Sequence, residues 1–139
     1  LHGEISAINN FYNLKHHLKI NPKNCIFLST HEPCSLCLSA ITWSGFNEFY
    51  YFFPYQETLN SFKIPHDLKI LHEVFNVKNG EYNKKNHFWE SKSIIEEIDK
   101  LPNKIRVKLR KNIDNIYAEY RNLSDDYQKY KKNNTIPLK

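Results

Sequence analysis

Residues 25–53, CIFLSTHEPCSLCLSAITWSGFNEFYYFF, decide the fold. The stretch opens with CIFLST (25–30), a short apolar run of β-formers that reads as a buried strand. Pro33 is placed to lead into a helix over CSLCLSAITWS, and Gly45 closes it. EFYYFF (48–53) predicts the next strand, ended by Pro54. Upstream, SAINNFYNLKHHL sets Ala7, Ile8, Phe11, Leu14 and Leu18 at helical spacing, which predicts a helix over about 3–18 before NPKN breaks it. A helix, strand, helix, strand order is the pattern of a layered α/β domain.

Downstream, YQETLNSF reads as a short helix, and LKILHEVF (68–75) fits either a strand or a helix. NVKNGEYNKKNH is a polar loop, and SKSIIEEIDKL (91–101) reads as a helix stopped by Pro102. Residues 103–132 predict one long helix. Its apolar residues Leu109, Ile113, Ile116, Tyr120, Leu123, Tyr127 and Tyr130 alternate steps of four and three. That heptad seam suits a partner interface or a helix packed on its own domain. The expected organisation is therefore an α/β domain over 1–101 and a basic helix and tail over 102–139.

At 139 residues the chain is about one domain long, with nine Phe, nine Tyr and two Trp to fill its core. No run of about eighteen apolar residues is present, so no membrane-spanning helix is expected. The net charge of +5 is uneven: residues 1–100 hold ten basic against eleven acidic residues, and 101–139 hold ten against four. The tail could attract RNA or simply form a solvated helix face. There is no methionine, and the chain is expected to continue upstream of Leu1.

Cys34 and Cys37 share one face of the helix that begins there. Backbone amides at a helix N-terminus favour thiolates, and thiolates at this spacing suit a tetrahedral zinc ion. A redox Cys-x-x-Cys is the rival reading. A four-cysteine zinc site is excluded, because Cys25 has no paired cysteine of its own and lies in an apolar strand. Unpaired cysteines favour a reduced, cytoplasmic setting. His2 is the candidate further ligand. Side chains two apart on a helix body point about 200° away from each other. His2 and Glu4 can therefore serve one site only from a helix end. His31 is a candidate lining residue, whereas His16, His17, His66, His72 and His87 read as surface or packing residues.

HGE (2–4) followed by PCSLC (33–37) is the H-x-E…P-C-x-x-C signature of zinc deaminases. Over residues 2–53 the chain resembles the cytidine and deoxycytidylate deaminase superfamily. LHGEIS is similar to fungal cytosine deaminases, and EPCSLCLSAITW to bacterial guanine deaminases and tRNA adenosine deaminases. The resemblance implies a three-layer α/β/α cytidine-deaminase-like fold with a mixed central sheet, its first helix and first two strands lying upstream of Leu1. It implies one catalytic Zn2+ with its water, held by His2, Cys34 and Cys37, and Glu4 as the proton shuttle. Trp89, in HFWES, is similar to an aromatic lid of the cytosine deaminases. Trp43, Phe53 and Tyr55 are further candidates to stack on a base, and core packing is the alternative role for each.

The expected activity is hydrolytic deamination of a small base, nucleoside or nucleotide of cytosine or guanine type. Adenosine deamination in tRNA is the second reading. Against it stand the absence of a basic excess in residues 1–100 and Gly3, where RNA-acting members usually carry alanine. A non-catalytic zinc-stabilised interaction module is the third. The family resemblance also implies a homodimer.

Overall fold

The computed structural model describes residues 2–18 and 20–133. Helix α1 (Gly3–Tyr12) leads to strand β1 (Phe27–His31), then α2 (Ser35–Ser44) and β2 (Glu48–Phe53). Two helices follow, α3 (Tyr55–Asn60) and α4 (His66–Phe75), and then β3 (Glu90–Ser93), α5 (Ile94–Asp99) and α6 (Asn103–Tyr130). No described helix is long and apolar enough to cross a membrane.

The three strands form one sheet in the order β1-β2-β3. Both pairings are parallel, with Phe27 opposite Phe49 and Phe49 opposite Ser91. Among the described residues the sheet is thus parallel rather than mixed, because each pair of strands is joined by a crossover through helices. The mixed sheet depended on strands expected outside this chain. β2 is central and buried over most of its length, as expected of a strand covered on both faces.

On one face Phe27, Phe49, Tyr51 and Trp89 meet Leu38, Ile41 and Phe46, with Ile8 and Phe11 of α1 packed against them. On the other, Phe52 and Phe53 meet Ile113, with Ile94 and Ile98 of α5 and Ile116, Tyr117 and Tyr120 of α6 beside them. The result is three layers, α/β/α. Helix α6 packs on β2, through Tyr117 and Tyr120 against Phe53, and so contributes to the second helical layer. Residues 134–139 of the expected tail lie outside the described residues.

Several parts of the chain settle or depart from the sequence expectation. Helix α1 ends at Tyr12, and Leu14 and Leu18 beyond it are exposed. The ambiguous 68–75 segment is helical and closes on Asn76 in the left-handed region. ESKS (90–93) is a strand, not the start of a helix, because β2 offers it a pairing edge. Trp43 is 91% exposed, not core. The inward positions of α2 are Cys37, Leu38, Ile41 and Ser44, which put Trp43 on the opposite side. Gly45, at φ 76°, supplies the left-handed residue that ends α2.

Candidate active site

Residues at helix N-caps usually offer a side-chain oxygen to the free amides of the first turn. Here the two caps are His2 on α1 and Cys34 on α2, and neither side chain makes a capping hydrogen bond. Their carbonyls start the helices, accepting from the amides of Ser6 and Leu38 at 3.0 and 2.8 Å. Both side chains are left to face each other.

The Nδ1 atom of His2 lies 3.4 Å from Sγ of Cys34 and 3.4 Å from Sγ of Cys37. All three donor atoms fall within 4.8 Å of one another. Zinc bonds of about 2.05 Å to nitrogen and 2.3 Å to sulfur, at tetrahedral angles, separate N and S by about 3.6 Å. The observed spacing fits that edge, and a His-Cys-Cys set leaves the fourth corner open. The chemistry of the donors fits too, since two thiolates and an imidazole suit zinc. Cys37 is fully buried, whereas His2 stands at the exposed rim.

The two thiols are linked electrostatically. The neighbouring Cys37 thiol and amide, with His2, hold the Cys34 pKa lowered to about 6 against the opposing effect of burial. That same link, followed by burial and the charges of Cys34 and Glu4, pushes Cys37 well up. One thiolate therefore forms readily, and a cation favours the second.

Residues 1–53 match the family model of the cytidine and deoxycytidylate deaminase zinc-binding region. That segment, which holds the H-x-E and P-C-x-x-C residues, is similar to the deaminase zinc-binding region. Its site is therefore that of one zinc ion, with His2, Cys34 and Cys37 as the donor set present to hold it. No curated protein and no solved structure matches the chain.

The donor set opens onto a pocket of about 410 Å³ lined by His2, Glu4, Ser29, His31, Cys34 and Asp67, among others. Glu4 sits in the first turn of α1 and accepts a 2.8 Å hydrogen bond from the Ser29 hydroxyl. His31, at the end of β1, lines the pocket and also packs on Phe53, Phe62 and Tyr120. Burial lowers its pKa, and the nearby Glu4 offsets part of that shift. Trp89 is elsewhere. It is 8% exposed, packs on Phe49 and donates to Thr42 Oγ1 at 2.8 Å. Phe53 and Tyr55 are buried as well, so neither they nor Trp89 stands free to stack on a base. Cys25 lies at the margin of the core, partly buried, with its thiol 3.7 Å from the Asn21 carbonyl.

Three residues of the site carry no motif signal. Asp67, in the first turn of α4, reaches the pocket, and burial raises its carboxyl pKa, with His2 and His66 opposing that shift. Ser29 faces Glu4 from the middle of β1. Glu32 is 3% exposed, and it anchors the turn that carries Cys34. Its carboxylate accepts from the Tyr55 amide at 3.0 Å and from Lys84 Nζ at 2.5 Å. The Tyr55 hydroxyl donates to the Pro33 carbonyl. The backbone just before Cys34 is thus held from two sides. A sequence signal existed for Ser29 alone, in the alternation of 27, 29 and 31 along β1.

Proposed function

We propose that the chain catalyses zinc-dependent hydrolytic deamination of a small base, nucleoside or nucleotide of cytosine or guanine type. The observation that carries this reading is Glu4 lining the same pocket as His2 and Cys34, two of the three zinc donors. A purely structural zinc site has no need of a carboxylate beside it or of a cavity in front of it. The pocket volume lies within the range of small-molecule sites.

Bound zinc supplies Lewis-acid activation of water near neutral pH. Glu4 accepts the proton that the attacking water gives up. It passes that proton to the ring nitrogen, then takes the remaining proton of the added hydroxyl and gives it to the departing amine, so that water and an amino-bearing carbon become a carbonyl and ammonia. His31 forms part of the pocket wall and takes no part in proton transfer in this scheme. The near-neutral charge of residues 1–100 supports a small substrate over an RNA-embedded one.

The test is ammonia release by the zinc-loaded chain across cytosine, guanine, adenine, their nucleosides and a tRNA anticodon stem-loop. Turnover of a free base or nucleoside is expected. Glu4→Gln should abolish that turnover and leave one zinc per chain by metal analysis. Near-full activity in Glu4→Gln, or silence across the panel with zinc bound, would overturn the reading.

A further inference from the structure

A glutamate that shuttles protons must hold its carboxylate in one place, yet the side chain is long and free to rotate about several bonds. Fixing such a side chain costs up to about 1.5–2 kcal/mol in rotamer freedom. Zinc ligands two residues away hold the start of α1 but not the end of this side chain. Something has to hold the carboxylate itself.

We propose that Ser29 is the positioning residue for Glu4. Three observations carry the assignment, which rests on the deaminase reading of the site. First, the Ser29 hydroxyl lies 2.8 Å from Oε1 of Glu4, across 25 residues of sequence. Second, Ser29 is 6% exposed and sits within β1, paired opposite Tyr51, so its own position is set by the sheet. Third, the hydroxyl has one proton and two acceptors in reach, Glu4 Oε1 and the His31 carbonyl at 2.6 Å.

The last point decides whether the contact matters. If the proton stayed on the His31 carbonyl, Ser29 would be a satisfied strand residue with no effect on Glu4. A hydrogen bond to an ionised carboxylate is roughly twice as strong as one between neutral groups. The proton is therefore drawn to Glu4. The hydroxyl keeps the His31 carbonyl as its resting partner, so it is not orphaned when Glu4 turns toward substrate. Ser29 thus ties the carboxylate to a rigid strand and lets it go without leaving a buried polar group unpaired.

The experiment compares Ser29→Ala and Ser29→Thr with the parent, each zinc-loaded and checked by thermal melting. Ser29→Ala should lower kcat about 10- to 100-fold on whichever panel substrate the parent turns over, the range expected for one hydrogen bond to a charged group. KM and zinc content should stay unchanged. Ser29→Thr, which keeps the hydroxyl, should restore most of the rate. A purely structural role predicts parallel losses of melting temperature and activity with no rescue specific to the hydroxyl. A second reading does not need turnover. In chain labelled with 13C-glutamate, the Glu4 side-chain carboxyl resonance is the one missing from Glu4→Gln. It should move in Ser29→Ala and return in Ser29→Thr. A resonance unmoved by Ser29→Ala, or an unchanged kcat, would overturn the proposal. Silence of the parent on the substrate panel would instead count against the deaminase reading, with the resonance still deciding the role of Ser29.

Discussion

Replacing Lys84 with methionine tests whether the turn before Cys34 is held by a buried charge pair. Only 2% of the Glu32 side chain is exposed, against 42% of the Lys84 side chain. Lys84 bonds to Glu32 and, at 2.6 Å, to the Tyr51 hydroxyl. Burial works to lower the Lys84 pKa, but those bonds outweigh it and raise it. Removing one partner of a fully buried pair costs about 3–5 kcal/mol, because the other charge is stranded. Two features reduce that figure. Water already reaches the ammonium, and Glu32 keeps the Tyr55 amide. The expected loss is about 2–3 kcal/mol, which for a chain of this size lowers Tm by about 6–15 °C.

Glu32→Gln should cost less, about 1 kcal/mol. Its amide oxygen still accepts from Tyr55, and the freed ammonium can swing into water. The double variant should lose less than the sum of the two single losses, since no charge is left stranded. Urea denaturation of the zinc-loaded proteins measures all three. Lys100→Met is the control, because Lys100 makes an exposed pair with Glu97 and should leave stability essentially unchanged. The reasoning fails if Lys84→Met behaves like Lys100→Met, or if Glu32→Gln is the more damaging of the two.

Two other perturbations test neighbouring parts of the site. At Gly80, φ is +73°, and an added Cβ would lie 2.6 Å from Cδ2 of Tyr55 and 2.9 Å from Cδ2 of Leu68. Gly80→Ala should therefore lose about 2–4 kcal/mol by denaturant melting, from the left-handed backbone plus overpacking. Asp67 has a raised pKa in the fold, so its favourable contribution is present below the unfolded value and lost as pH rises through the folded one. Asp67→Asn should accordingly be more stable than the parent at pH 7, with the gap closing toward pH 4. Urea midpoints of the metal-free proteins would show this, and a gap that widened on acidification would contradict the burial argument.

The part of the fold that was legible is the part where local pattern and tertiary role agree. The Pro33–Gly45 helix and EFYYFF carry cap, terminator and strand signals that the packed structure also requires, whereas CIFLST yields a strand only from Phe27, alternately buried and exposed rather than buried throughout. β3 shows the opposite case. ESKS has two serines that bury beneath the sheet and two charged residues beside it, so nothing local marks it as a strand. Its identity comes from pairing with β2, 42 residues earlier in the chain. The seam on α6 was legible in period but not in extent. Ile113, Ile116 and Tyr120 pack inward, whereas Leu123 and Tyr130 are 60% and 55% exposed. The zinc donors could be found because their spacing is chemical. Glu32 and Asp67 reach the same place through the fold alone, and for Ser29 the β1 alternation marks only an inward face, not its contact with Glu4.

The two ligand-bearing helix caps have a thermodynamic consequence of their own. His2 and Cys34 are 32 residues apart in the chain, so an ion shared between them closes a loop as a cross-link does. By the chain-entropy estimate used for disulfides, a loop of that size confines the unfolded chain by about 3–4 kcal/mol. Unlike a disulfide, this link can be withdrawn by a chelator without breaking a covalent bond. Metal supply and acidity thereby set how firmly the first two helices are joined.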